Sequence, residues 1–273
     1  MRVLVTNDDG IEARGIHALA DRLAEDFAVT VAAPAREQSA SGHSITLHRP
    51  VRVRPYAWPG VRAFAVEGTP VDAVKLAVEA LMPEPPDVVV SGINHGSNLG
   101  RDVFYSGTVA AAIEGFLLGV PAVAVSLEAP DGPGFDWGAA FVAWWLATRF
   151  SPPEPGTLWN INLPRVGPRV PTGMLTVPLG RREYVNTLSR EPHPGGGESF
   201  RIAGQVAQYH GGPDTDVGAV AHGYVAVTPL QLDITAWERI PRPPVAVPIP
   251  PEALRIRRSA GATLDDEGGV HRG

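Results

Sequence analysis

Residues 3–34 read VLVTNDDGIEARGIHALADRLAEDFAVTVAAP. Val3–Thr6 is a short apolar run stopped by Asn7-Asp8-Asp9-Gly10, the pattern of a strand ending in a turn. From Gly15 to Phe27, the residues Ile16, Leu19, Ala20, Leu23 and Phe27 recur at helical spacing, with charges between them. Val29–Ala33 is a second β-branched run, closed by Pro34. Strand, helix and strand within about thirty residues make a βαβ unit, which requires a parallel sheet.

The same rhythm continues outward. The spacing predicts a helix over Pro70–Met82, with Thr69 as N-cap and Pro70 at its first position. Strands follow at Asp87–Val90, Ala122–Ser126 and Leu158–Leu163, and helices at Gly107–Leu118 and Phe135–Phe150. Continuous apolar strands alternating with helices mean a sheet covered on both faces. The expected fold class is therefore α/β, a Rossmann-like three-layer sandwich with a mostly parallel sheet. Val51–Arg54 alternates with period two and suggests a hairpin with Val61–Val66, an insertion near 47–66 in a catalytic core of residues 1–165. Beyond that point Pro and Gly become frequent. Tyr224–Thr228 and Leu232–Thr235 read as hairpin strands, and Pro241–Pro251 as an extended arm. Residues 166–273 are thus expected to be a C-terminal hairpin and a Pro-rich arm, the arm either a loose tail or packed on another part of the protein or on a second subunit.

The composition limits the function. The chain has 273 residues, enough for one large domain with an appendage. Its net charge of −6 offers no basic field for a nucleic acid polymer. With no cysteine there is no disulfide scaffold, thiolate metal site, iron–sulfur cluster or Cys nucleophile. The lack of cysteine also fits a reducing cytoplasm, the expected location. Val109–Leu127 approaches membrane-spanning length, but it carries Glu114 and is cut by Gly119-Val120-Pro121, so no membrane partner is expected.

In an open α/β sheet, ligands bind beyond the carboxyl ends of the strands. Here those ends carry Asn7-Asp8-Asp9-Gly10, then Arg36-Glu37-Gln38-Ser39, then the run from Ser91-Gly92-Ile93-Asn94 to Asn98-Leu99-Gly100. Among their side chains are two adjacent carboxylates, a hydroxyl and an amide, at Asp8, Asp9, Ser39 and Asn94. An all-oxygen set suits a hard divalent cation such as Mg²⁺ or Mn²⁺. Asp-Gly is also ordinary turn chemistry, but two adjacent carboxylates repel and a cation would offset that cost. Ser106-Gly107-Thr108 opens a helix, where free N–H groups either take a simple cap or cradle an anion. A cation beside an anion pocket points to phosphate-ester chemistry, because a metal polarises phosphoryl oxygens and activates a water.

Other folds that begin with acidic residues fail on named positions. A haloacid-dehalogenase phosphatase needs Asp two places after its nucleophile, and Gly10 follows Asp8-Asp9. A receiver domain needs a lysine after its fifth strand, and the only lysine, Lys75, is mid-helix. There is no P-loop and no G-x-G-x-x-G at the first turn.

The motifs V-T-N-D-D-G-I at 5–11, S-x-x-x-x-S-I-T at 39–46, G-T-P-V-D-A-V at 68–74, S-G-I-N-H-G-S-N-L-G-R-D-V-F-Y-S-G-T-V at 91–109, N-I-N-L-P at 160–164 and T-P-L-Q-L-D-I-T at 228–235 resemble the SurE family of stationary-phase survival nucleotidases. The resemblance implies a metal-dependent phosphomonoesterase acting on nucleoside 5′-monophosphates, with 3′-monophosphates and short polyphosphate as further substrates. A non-catalytic nucleotide or metal sensor on the same fold is the alternative. Carried over by motif, the family's metal ligands fall on Asp8, Asp9, Ser39 and Asn94, for one divalent cation per subunit. The two carboxylates are expected to act through an activated water, with Asp8 or Asp9 as a covalent nucleophile the alternative, and the phosphate-side residues fall on Asn98, Ser106, Gly107 and Thr108. The family often has Gly directly after the ligand serine, where Ala40 stands here, which bears on the path of that loop. The resemblance also implies a homodimer or homotetramer held through the C-terminal region.

Overall fold

A computed structural model of the chain describes residues 1–128, 134–151, 156–165, 171–185, 188–192, 195, 197–202, 205–207, 209, 211–241 and 243. Its first strand, β1 (Arg2–Thr6), shows why the sheet is sandwiched: side chains alternate between faces, so Val3 and Val5 enter one core while Leu4 enters the other. Helix α1 (Arg14–Ala24) follows and lays Ile16, Leu19 and Leu23 on the first core. Strand β2 (Ala28–Pro34) then returns parallel to β1. The strands β3 (Val53–Tyr56) and β4 (Arg62–Val66) pair antiparallel, with β4 running parallel to β2.

Helix α2 (Pro70–Leu76) starts at a complete capping box. Thr69 accepts from the Asp72 N–H, and the Asp72 carboxylate accepts from the Thr69 N–H. The helical region predicted to Met82 ends instead in one π-helical turn, Ala77–Leu81. Strand β5 (Val88–His95) is longer than its apolar run predicts: the register shifts between Ser91 and Asn94, and pairing with β6 (Ala122–Leu127) then resumes at Asn94 opposite Ser126. The binding motif is therefore partly strand. Helices α3 (Gly107–Leu117) and α4 (Gly134–Thr148) cover opposite faces, and β7 (Thr157–Leu163) extends the sheet.

The later strands are β8 (Gly173–Thr176), β9 (Tyr184–Val185), β10 (Leu188–Pro192), β11 (Glu198–Ile202) and β12 (Gln205–Val206), followed by helix α5 (Asp216–Ala221) and β13 (Tyr224–Gln231). The nine-stranded sheet has the order β3-β4-β2-β1-β5-β6-β7-β13-β8 and is parallel except at β3–β4 and β7–β13. The C-terminal hairpin elements are β10–β11 and the short pair β9–β12. The expected hairpin of 224–228 with 232–235 does not form. Val225, Ala226 and Val227 are buried, so that segment joins the main sheet between β7 and β8, and residues 232–235 are not strand.

Met1–Asp233 forms one compact unit, and a second begins at Ile234, where Trp237–Arg239 makes one 3₁₀ turn. Most of the predicted Pro241–Pro251 arm lies outside the described residues. Among the described residues no helix is long and apolar enough to cross a membrane.

Candidate active site

Because β1, β2 and β5 run parallel, their carboxyl ends lie along one edge of the sheet. The turn after β1 is fixed from within. The Asn7 side chain donates to the Gly10 carbonyl, and Gly10 takes a φ of 99°, which a side chain would resist. The loop after β2 is tied to this turn, since the Gln38 N–H donates to the Asp8 carbonyl at 2.7 Å. Asp8 and Ser39 are thereby brought to one place.

A cavity of about 410 Å³ opens there, lined by Asp8, Ser39, Asn94, Asn98, Asp102 and Ser106 among others. Asp8 is only 4% exposed, and its Oδ1 accepts from the Thr108 hydroxyl. Burial pushes the Asp8 carboxyl up to about 6; the Thr108 hydroxyl opposes the rise and the charge of Asp9 adds to it. Asp9 stands beside the lining, with its Oδ2 accepting from the His95 N–H at 3.0 Å. Burial raises this carboxyl too, against the His95 hydrogen bond. Among the described residues no arginine or lysine forms an ion pair with either aspartate.

Ser39, Asn94, Asn98 and Ser106 line the same cavity. Ser39 donates its hydroxyl proton to Glu37 at 2.6 Å, which leaves its oxygen lone pairs free to accept. Asn94 commits its Nδ2 to the Gly96 carbonyl at 2.7 Å, which leaves its carboxamide oxygen uncommitted. Ser106 caps α3 by accepting from the Val109 N–H. Gly107 and Thr108 do not line the cavity, but both touch Asp8. A Cβ added at Gly107 would lie 2.7 Å from the Asp8 Cβ and 2.8 Å from its Oδ2. Helix α3 thus begins directly against the carboxylate.

Asn98 is held from three sides. Its backbone N–H donates to Asn162 Oδ1, its carbonyl accepts from Asn160 and Asn162, and its Nδ2 donates to Ser126 at 2.8 Å. Asn160, Asn162 and Ser126 are fully buried, and no role is legible for them in the motifs alone. Asp102 is braced by Arg182 at 3.1 Å and by the Tyr184 hydroxyl at 2.6 Å. Tyr184 and Tyr105 are largely exposed and line the cavity. Asp216, buried in α5, accepts from the N–H groups of Gly100, Gly180 and Val217 and so joins the Asn98 loop to the later chain. His95 lines the cavity, whereas His43 faces Glu114 at 3.4 Å and lies outside the lining. Ala40 has a φ of 57°, so the loop keeps a left-handed turn at this position although no glycine is there.

Comparison with known proteins gives one answer. A family profile described as Survival protein SurE matches residues 3–186. The 5′-nucleotidase SurE of Pelotomaculum thermopropionicum is 46% identical over 246 residues, 89% of this chain and 93% of that protein. That of Moorella thermoacetica is 47% identical over 240 residues, covering 87% and 92%. The crystal structure of the SurE protein from Aquifex aeolicus superposes with a TM-score of 0.74 at 35% identity, covering 87% of this chain and 96% of that one. The fold, the buried Asp8 carboxylate against a helix start and these matches agree, and the chain belongs to the SurE family.

Proposed function

We propose that the protein is a metal-dependent phosphomonoesterase that hydrolyses nucleoside 5′-monophosphates to nucleoside and phosphate. The observation that carries this reading is the buried Asp8 carboxylate, set in the cavity against the start of helix α3, with Asp9 beside the lining. The names of the relatives, 5′-nucleotidase SurE, support it.

The residues present fit a divalent cation. Two carboxylates without a basic partner are costly to bury, and a dication would offset that cost. Asp8, Asp9, Ser39 and Asn94 supply only oxygen donors, which suits Mg²⁺ or Mn²⁺. When bound, such a cation polarises a phosphoryl oxygen and activates a water. The chain does the rest. Thr108 holds Asp8 in one orientation through its hydroxyl, and the His95 N–H does the same for Asp9. Ser106 and the first N–H groups of α3 face negative charge favourably, while Asn98, immobilised by its asparagine neighbours, orients the phosphate. Residues 1–165 carry these groups. Tyr184 lines the cavity and Arg182 braces Asp102 there, and we assign to residues 166–273 the contacts of a homodimer or homotetramer in the cytoplasm.

The test is phosphate release from AMP with Mn²⁺. Chelator abolishes it, Mn²⁺ restores it, and Asp8→Asn lowers it by about a thousandfold, the several kcal/mol that charge stabilisation at such a site supplies. Nucleotide binding without release under any divalent cation would refute the reading and leave a sensor.

A further inference from the structure

A second cavity, of about 380 Å³, borders the loop that carries Ser39. Its lining includes Arg36, Gln38, Arg49, Arg54 and Glu67. Gln38 lines this cavity, while Ser39 and Ala40 line the catalytic one. Consecutive Cα atoms are about 3.8 Å apart, so both cavities border this loop.

The charge of this cavity runs against that of the protein. Three guanidinium groups meet one carboxylate, in a chain whose net charge is −6. Glu67 is spent on Arg54, with Nη2 and Oε1 3.3 Å apart, and among the described residues Arg49 reaches only the Glu67 backbone carbonyl at 3.4 Å. Arg36 has no ion-pair or side-chain hydrogen-bond partner among the described residues. The start of α2 is not the attraction, because the Thr69 N–H and hydroxyl are already committed to Asp72 and to the Ser44 carbonyl. What remains is a surplus of forked, permanently charged donors around a space large enough for a ligand. That is the side-chain chemistry that recognises a phosphate group.

We propose that the cavity of Arg36, Arg49 and Arg54 holds a second phosphate of the substrate, so that the enzyme takes nucleotides bearing two separate phosphate groups as well as simple monophosphates. One phosphate lies at Asp8 and Asp9, and the other crosses the loop at 38–40 to the guanidinium groups. The inference rests on the phosphomonoesterase reading for the first phosphate only.

The experiment uses the full chain and the double variant R36Q/R49Q, which keeps the Arg54–Glu67 pair. All three arginines are surface-exposed, so the fold is expected to tolerate the change. In metal-free buffer, inorganic pyrophosphate raises the melting temperature of the wild type and leaves that of the variant unchanged. With Mn²⁺, kcat/KM for adenosine 3′,5′-bisphosphate falls about tenfold in the variant while that for AMP stays within about twofold, since each lost guanidinium contact acts only on the second phosphate. An equal pyrophosphate shift in both proteins, or a parallel change for both nucleotides, overturns the proposal. A pyrophosphate shift lost in the variant with unchanged bisphosphate turnover also overturns it, in favour of a site for a free anion. If neither protein releases phosphate from AMP, the nucleotidase reading has failed, and the anion site is judged by the pyrophosphate shift alone.

Discussion

Gly107→Ala sets two effects against each other at the first residue of α3. Alanine is the better helix former by up to about 1 kcal/mol in a helix interior, and by less at the first position. On propensity alone the variant gains stability. The added methyl, however, would lie 2.7 Å from the Asp8 Cβ and 2.8 Å from its Oδ2, inside any real carbon contact. Restoring an ordinary separation requires a shift of about 0.7 Å. Asp8 cannot yield easily. Its carboxylate is bound to Thr108, its carbonyl accepts from the Gln38 N–H, and the residue is 4% exposed. Overpacking at such a site costs about 1–3 kcal/mol and outweighs the propensity gain, so the melting temperature falls by several degrees at roughly 2–4 °C per kcal/mol. The larger effect is on turnover. A displacement approaching 1 Å of a group that aligns the reaction costs on the order of a hundredfold in kcat. The assay is AMP hydrolysis with Mn²⁺, read beside thermal unfolding. A variant whose kcat stays within about threefold of wild type, with an unchanged or raised melting temperature, would show that the helix start does not press on Asp8.

Ala40→Gly removes a left-handed alanine, at φ 57°, whose cost of about 1–2 kcal/mol exceeds the chain entropy that glycine adds; urea unfolding should show a gain of about 0.5–1 kcal/mol, and a loss would contradict the strained turn. Asp72 is pushed up by burial, but hydrogen bonds from Thr46 and Thr69 outweigh that and hold its carboxyl below the ordinary value. A carboxyl depressed in the folded state stabilises above its unfolded pKa, about 3.9, and that stability is lost as pH falls through the folded value. Asp72→Asn should therefore unfold at lower denaturant than wild type at neutral pH, with the gap closing below about pH 4; a gap independent of pH would refute the charge argument. Asn162→Ala strips the buried Asn98 N–H of its acceptor, which costs about 1–3 kcal/mol by equilibrium unfolding, and a loss under about 0.5 kcal/mol would show that another group replaces it.

The strands and helices of the core were legible because burial on both faces leaves a simple trace. Val3–Thr6, Val29–Ala33 and Ala122–Ser126 are each apolar but for one residue, and each lies within a strand of the sheet. The position of Asp8, Asp9, Ser39 and Asn94 at one edge follows from parallel topology alone, without any side-chain geometry. Pairing between distant segments leaves no such trace. Tyr224–Thr228 is a short apolar run that reads as a hairpin strand, but its partners β7 and β8 are chosen by tertiary packing, so the local pattern misleads. The same holds for Arg182 and Tyr184, which reach Asp102 from a stretch of short polar strands with no period to read.

Asn160 and Asn162 differ, because their signal was present. They are two residues apart in an apolar strand, which puts both side chains on one face of a sheet whose faces are both covered. A carboxamide buried without partners costs several times what a hydrogen bond returns, so two of them at that spacing must bind something polar opposite. The nearest polar backbone at the same sheet edge is the loop of Asn98, which both do bind. A polar side chain at a strand position that topology buries is thus evidence for a partner, and here that partner is the residue proposed to orient the phosphate.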